Sequence, residues 1–247
     1  MTTITGGVQF GGGVLFSPPT LPIVIQSGLI LNLQTAPTSG GTWTDTTGSH
    51  NTTIVNPTVG NVSYVAEYGG GVRILVKNSS YFDTGISAAT TGNTFTISMT
   101  TKFDLSTTYW ATWWGNDYYS GTQGYLGYQT SSTAVTFGSP SGAITTSTFT
   151  VQSANIANVN VWDFTISGTT ANYFVNGVWK GTGTIVAPSS GVGTANLYFG
   201  ARHQNTGGSF TDTMVGTYYS MRVYNRALSN VEISTNYTTI KSIHGLP

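Results

Sequence analysis

Retaining glycoside hydrolysis needs two carboxyl groups about 5–5.5 Å apart, one as nucleophile and one as acid/base. The chain offers two glutamates, Glu67 and Glu232, and six aspartates, Asp45, Asp83, Asp104, Asp117, Asp163 and Asp212. All are isolated: no two stand at the short even spacing that sets side chains together on one strand face. Glu232 also follows Ser229 by three residues, a capping box in which each side chain satisfies a free backbone N–H at a helix start. Of His50, His203 and His244, only His203 sits in a polar cluster, Arg202-His203-Gln204. A loop histidine of this kind is more often solvated than catalytic. No nucleophile elbow, phosphate-cradling loop or metal-spaced histidine pair is present. The expectation is a chain that is not an enzyme and that uses no metal and no cofactor.

A different chemistry is written into residues 109–128, YWATWWGNDYYSGTQGYLGY, with Trp110, Trp113, Trp114 and five tyrosines. A flat aromatic face suits the apolar C–H face of a sugar ring, and neighbouring amides and carboxylates bond its hydroxyls. The candidate carbohydrate-binding residues are Trp113, Asn116, Asp117, Tyr118 and Tyr119. The same run also reads as packing. In a strand, Trp110, Thr112 and Trp114 share one face and Ala111 and Trp113 the other, and at least one face must be core. Core or inter-subunit packing is the favoured reading for the tryptophans, and Tyr118 and Tyr119 are the expected exposed pair. Asn116-Asp117 and Asn205 with Asp212 offer oxygens to calcium, but no segment gathers two acidic residues, so ordinary loop aspartates are expected.

Composition narrows the partners. Charged residues make up 6% of the chain and the formal net charge is zero, against roughly 25% charged in an average protein. Neither nucleic acid nor an acidic membrane surface is an expected partner. No apolar run approaches the ~18 residues that span a bilayer, so no membrane insertion is expected. The N-terminus lacks the basic start and apolar run of a secretory signal. There is no cysteine, hence no disulfide framework and no thiolate metal site. A neutral, sparsely charged module tends towards association, so a homo-oligomer is expected.

The elements that must carry these residues are strands. GLILNLQT, Thr52–Val55, Ser63–Tyr68, Val72–Val76, Tyr81–Ile86 and Phe95–Phe103 follow one another with turn residues between them. Val159–Ser167 and Ala171–Lys180 form a hairpin, and the second strand turns at Asn176-Gly177, a strong hairpin signal. In Gly216–Tyr237, Tyr218, Ser220, Arg222 and Tyr224 alternate with Tyr219, Met221 and Val223 before the capped helix.

Four motifs, in order, resemble the concanavalin A-like lectin/glucanase superfamily, in its laminin-G-like branch. They are Trp43-Thr44-Asp45, the Phe95–Ser98 strand, the Tyr173–Gly177 element and the closing RVYNRALS turn with its helix, over about residues 28–240. The resemblance implies an all-β fold, a jelly-roll β-sandwich of two antiparallel sheets with one short C-terminal helix. The superfamily's glucanases carry an E-x-D-x-x-E strand, and its polysaccharide lyases a Q-I-H strand; neither is found here.

The expected organisation is a Gly/Pro-rich arm, residues 1–25, followed by a jelly-roll domain, residues 26–247. GGVQF at 6–10 and GGVLF at 12–16 place Val8, Phe10, Val14 and Phe16 in alternation, ahead of Pro18, Pro19 and Pro22. This opening is similar to those of structural proteins from marine bacteriophages. It suits an arm that adds a strand to a neighbouring subunit. The function expected from the resemblances is a virion structural protein, a capsid decoration or fibre component, whose partners are its own copies or other virion proteins. The alternative is a carbohydrate-binding adhesin module, extracellular or on a cell surface, with a cell-surface glycan as partner.

Overall fold

Thr94–Phe103 and Gly216–Tyr224 pair antiparallel along most of their length, and a sheet grows outward from this pair. The computed structural model describes residues 9–10, 14–15, 23–104, 111–115, 117–118, 126–129, 134–138, 147–150, 157–185, 195–204, 209–211 and 213–247. Beyond Thr94–Phe103 this sheet adds Asn160–Ser167, Thr170–Val175 and the edge strand Val178–Thr184. On the other side, Gly216–Tyr224 pairs with both Gly71–Ile74 and Leu29–Leu33, and Val62–Val65 follows Gly71–Ile74. A second antiparallel sheet runs in the order Ser147–Thr150, Ala134–Gly138, Leu126–Gln129, Ala111–Gly115, Asn196–Phe199, Tyr81–Ser87, Thr52–Val55 and Thr42–Trp43. Two antiparallel sheets and one C-terminal helix are the arrangement expected of the jelly roll.

An aromatic core fills the space between the sheets. Trp113 lies 4.8 Å from both Phe103 and Trp162, and Phe82 lies 4.8 Å from Tyr218, ring centre to ring centre. Trp43, Trp113, Trp114 and Trp162 are all fully buried. Strict alternation would have sent Trp113 and Trp114 to opposite faces. A β-bulge between Thr112 and Trp114 turns both indoles into the core. A second bulge, between Tyr218 and Ser220, sends Tyr218 to the core with Met221 and Val223. It therefore faces away from Ser220 and Arg222, contrary to the simple period-2 pattern.

The helix Asn230–His244 covers the outer face of the Thr94–Phe103 sheet. Ser229 and Glu232 form the expected capping box, and Gly245 ends the helix in the left-handed conformation at φ 59°. Arg226 grips Glu232 with two bonds of 2.6 and 3.0 Å, and this contact holds the Glu232 carboxyl down at about 2. Ile233 packs with Phe174, Tyr224 and Leu228, and Ile240 packs with Val24, Val161 and Leu246. Among the described residues no helix is long and apolar enough to cross a membrane.

The sandwich takes in residues just before 26. Val24 is buried against the helix, and the Ile25 N–H donates to Asn236 Oδ1 at 2.8 Å. Further out, among the described residues, Gln9–Phe10 and Val14–Leu15 pair with each other, Phe10 opposite Val14. Val8 and Phe16 lie outside the described residues.

One row of the helix-covered sheet carries buried charge. Asp163, Ser98, Arg222 and Asn32 are successive cross-strand neighbours, all out of water. Burial raises the Asp163 carboxyl to about 7, although Ser98 and the Arg222 charge pull it down. Burial likewise lowers the Arg222 guanidinium, against the opposing pull of Tyr224 and Asp163.

Two outcomes are expected. Asp163 binds its proton more tightly when folded, so its contribution is full below about pH 4 and is lost as pH rises through about 7, roughly 4 kcal/mol at most. Denaturant titrations at pH 5 and pH 8 should show this fall, and Asp163→Asn should flatten it. Separately, a chain beginning at Gln26 should be less stable than one beginning at Ile23, by about 2 kcal/mol for the lost Val24 side chain, read as a lower melting temperature.

Candidate functional site

Within the described part of the aromatic run, Ala111–Gly115 is a fully buried strand, so Trp113 and Trp114 do not form an exposed platform. Trp113 is core, so it is corrected from a sugar contact to an inter-sheet packing residue. Asn116 and Tyr119 lie outside the described residues. Asp117–Tyr118 is a short strand parallel to His203 and Gln204, and Arg202–Gln204 pairs in turn with Ser209–Thr211. This small sheet brings Asp117 and Tyr118 beside the Arg202-His203-Gln204 cluster, a juxtaposition the sequence order hides.

The other polar motifs hold structure together. Asp45, in the Trp43-Thr44-Asp45 loop, accepts hydrogen bonds from the backbone N–H of Asn32 (2.8 Å), Thr47 (3.0 Å), Ser49 (3.2 Å) and His50 (3.0 Å), and from the Thr47 hydroxyl. Burial works to raise its pKa, and bonds from Thr47, Asn32 and His50 outweigh burial, so the carboxyl sits below its usual value. It is a loop organiser. His244 is buried in the last helical turn, its Nδ1 2.8 Å from the Tyr68 carbonyl oxygen. Burial lowers its pKa, with Tyr68 opposing and Arg222 adding to the fall. Among the described residues no three histidine or acidic side chains are grouped to hold a metal ion.

Among the side chains whose burial is described, the exposed aromatic one is Trp179, on the edge strand Val178–Thr184. It is 51% exposed, whereas Trp43, Trp113, Trp114 and Trp162 have no more than 1% of their surface in water. The Asn176-Gly177 turn positions it: both residues have positive φ, 52° and 74°, and Val175 pairs directly with Val178, as a two-residue hairpin requires. A register shift then follows between the Phe174–Trp179 and Tyr173–Gly181 pairs. It sets the indole beside a polar ladder. Trp179 Nε1–H donates to Thr182 Oγ1 at 3.3 Å, the Thr182 hydroxyl donates to Asn172 Oδ1, and Asn172 Nδ2 donates to Thr165 Oγ1 at 3.3 Å. The chain of bonds fixes the ring plane and orients the amide. An amide has two N–H donors and two acceptor lone pairs, so Asn172 keeps bonding capacity for a ligand hydroxyl next to the indole face.

Sequence reasoning passed over Trp179 because its motif, VNGVWKG, reads as a hairpin. A signal was present nonetheless. The positions two before and two after it are Gly177 and Gly181, so no apolar neighbour on its own strand face could bury the ring.

The profile of a laminin G-type family, described as the concanavalin A-like lectin/glucanases superfamily, matches residues 76–234. No curated protein matches the sequence. Among solved structures, a Trypanosoma rangeli sialidase superposes with a TM-score of 0.61 at 16% identity, over 89% of this chain and 34% of that one. Domain 4 of AbnA, a GH43 extracellular arabinanase from Geobacillus stearothermophilus, in complex with arabinotriose, gives 0.60 at 14% identity, over 85% of this chain and 98% of that one. The CBM40 of a Ruminococcus gnavus IT-sialidase, bound to α2,3-sialyllactose, gives 0.52 at 16% identity, over 66% and 94%. At these identities the likeness is one of fold, and the chain spans about a third of the sialidase chain. The expectation that the chain is not an enzyme is corrected by these neighbours, which are sialidases and a domain of an arabinanase.

Replacing the exposed indole should report its setting. Trp179→Phe should remove a solvent-exposed, red-shifted part of the tryptophan emission, and change stability by less than about 0.5 kcal/mol, as at other surface positions. A difference emission spectrum with a thermal melt reads both.

Proposed function

The chain belongs to the concanavalin A-like lectin/glucanase superfamily, and from that premise we propose that it is a carbohydrate-binding module holding a glycan against Trp179. The observation that carries this is the half-exposed indole, fixed by Thr182 beside the Asn172 amide on a hydrogen-bonded edge strand. The sugar's C–H face lies on the ring, and Asn172 and Thr182 meet its hydroxyls. A site on a strand is more rigid than one on a loop, so less ordering entropy is lost on binding.

The extent of the matches supports the same reading. The chain spans 98% of the arabinanase domain seen with arabinotriose and 94% of the module seen with sialyllactose, against about a third of a sialidase. These neighbours favour the sugar-binding alternative over a virion component. In this reading the glycan is met outside the cell, and the residues before Ile23 serve as a tether to a larger assembly.

A glycan array probed with the full chain is the test. Binding to a defined set of oligosaccharides is expected, and Trp179→Ala should weaken it at least tenfold, about 1.4 kcal/mol, with the melting temperature unchanged. Binding that ignores the substitution, or no binding to any glycan, would overturn the proposal.

A further inference from the structure

A cleft of about 440 Å³ opens at the C-terminal end of the helix, lined in part by Tyr68, Asn158, Asn160, Asn176 and Tyr237. Its size falls within the range of small-molecule sites, roughly 300–1,000 Å³. Three asparagines and two tyrosines are its polar lining, and none of the side chains lining it is charged.

The amides are held in place. Asn176 Oδ1 accepts the Val161 N–H at 2.9 Å, Asn176 Nδ2 donates to Asn160 Oδ1 at 2.8 Å, and Asn160 Nδ2 donates to the Asn158 carbonyl at 3.1 Å. Asn176 thereby uses one donor and one acceptor and keeps one of each for a ligand. On the opposite wall Tyr68 adopts φ 52°, ψ 39°. A left-handed conformation at a bulky non-glycine residue is strained and is concentrated at ligand clamps and active sites. Its ring stands edge-on to Tyr219 at 5.4 Å, and its carbonyl is tied to His244 at 2.8 Å. The strained residue is therefore over-determined by its surroundings. Tyr237 closes the third side, so near Gly177 that a Cβ built there would lie 2.9 Å from the tyrosine side chain.

This cleft and the Trp179 platform meet at the same turn. Asn176 precedes Trp179 by three residues, a chain length of at most about 11 Å. We propose that the cleft is a second sugar subsite continuous with the platform, and that the ligand is an uncharged oligosaccharide spanning both. This rests on the sugar-binding reading above. The lining selects the class because no side chain in it is cationic: a sialic acid carboxylate, a sulfate or a phosphate would lose its hydration in the cleft without gaining a positive partner. Neutral hydroxyls match the amides instead. One sugar ring fills the cleft while the next residues of the chain lie over Gly177 and on the indole.

The test is calorimetric titration of the full chain with neutral cello-, manno- and arabino-oligosaccharides of one to five units, and with 3′-sialyllactose. Affinity for a neutral series should climb at least tenfold as length grows from the unit that covers Trp179 to the one that reaches the cleft. Asn158→Ala and Tyr237→Phe, which keep the backbone and the ring packing, should remove that gain and leave the shortest binding ligand unaffected. Trp179→Ala should weaken all lengths. A length-independent affinity, or cleft variants that bind every length as the wild type does, would overturn the second subsite while leaving the platform standing. Tighter binding of 3′-sialyllactose than of any neutral series would overturn the uncharged class. No binding of any oligosaccharide by the wild type would overturn both the subsite and the function on which it rests.

Discussion

The central strands of one sheet, Thr94–Phe103 and Gly216–Tyr224, are sealed by the opposing sheet on one side and by the C-terminal helix on the other, so every polar group they carry must be matched from within. All nine residues of Gly216–Tyr224 are buried. The sequence answers in part with short hydroxyl side chains that bond to one another and to the turn before the helix, while Thr101 Oγ1 and Arg222 Nε and Nη2 are left without a hydrogen-bond partner. The Ser220 hydroxyl lies 2.8 Å from Thr100 Oγ1 and accepts from Arg222 Nη1 at 3.0 Å. Thr96 donates to the Arg226 carbonyl at 2.8 Å and accepts the Leu228 N–H at 2.9 Å. These bonds fix the turn that launches the helix, and the helix in turn keeps the strands dry. Asp163 is the costly member, because its carboxylate lies across Ser98 from Arg222 without direct contact. Burial away from water drives its tendency to take up a proton, and Ser98 and the more distant Arg222 charge only partly oppose it.

A helix is narrower than a sheet, and this sets where the exposed surface begins. Its apolar stripe reaches Phe174 and Val161, one and two strands in from the edge. The last strand, Val178–Thr184, has no fully buried residue. Beyond the helix, a large ring on the outer face of the sheet has nothing to cover it. Trp179 occupies that position, and its indole N–H, which is usually hydrogen-bonded when a tryptophan packs, goes sideways to Thr182. The same hairpin turn that places the indole also bonds the Asn176 amide to Asn160. One local signal, Asn-Gly, thus organises both parts of the surface.

Much of the frame could be read from the chain. The capping box at Ser229 and Glu232, the hairpin at Asn176-Gly177 and the long alternating strands are local patterns, and the structure realises them where they stand. What escaped was any feature that needs the partner strand. A bulge adds one residue opposite a neighbour that only the fold supplies, so period-2 counting misplaced Trp113 against Trp114 and Tyr218 against Ser220. Burial of Trp113 followed from that bulge, and exposure of Trp179 from the width of a helix, Asn230–His244, that lies far along the chain; neither is a property of the motif in which the residue sits. Val24 and Ile25 joined the domain for the same reason, since their partners Ile240 and Asn236 lie at the far end of the chain.

The scarcity of charge bears on why the proposed site is built from amides and a ring. Eight basic and eight acidic residues serve the whole chain, and several are committed to the frame: Arg226 to Glu232, Arg73 to Asp104 at 3.0 Å, and Arg222 and Asp163 in the buried row. Attraction between exposed unit charges is screened within about 8 Å at physiological salt. A surface built on Asn172, Thr182, Asn176 and Trp179 does not depend on that attraction. In the proposed site, discrimination would come from hydrogen-bond geometry and ring contact at short range, the terms that distinguish one neutral polyhydroxylated ligand from another. The few charges left exposed, such as Lys180 next to Trp179, are outnumbered there by amides, hydroxyls and the indole, which is the chemistry the proposed uncharged ligand would meet.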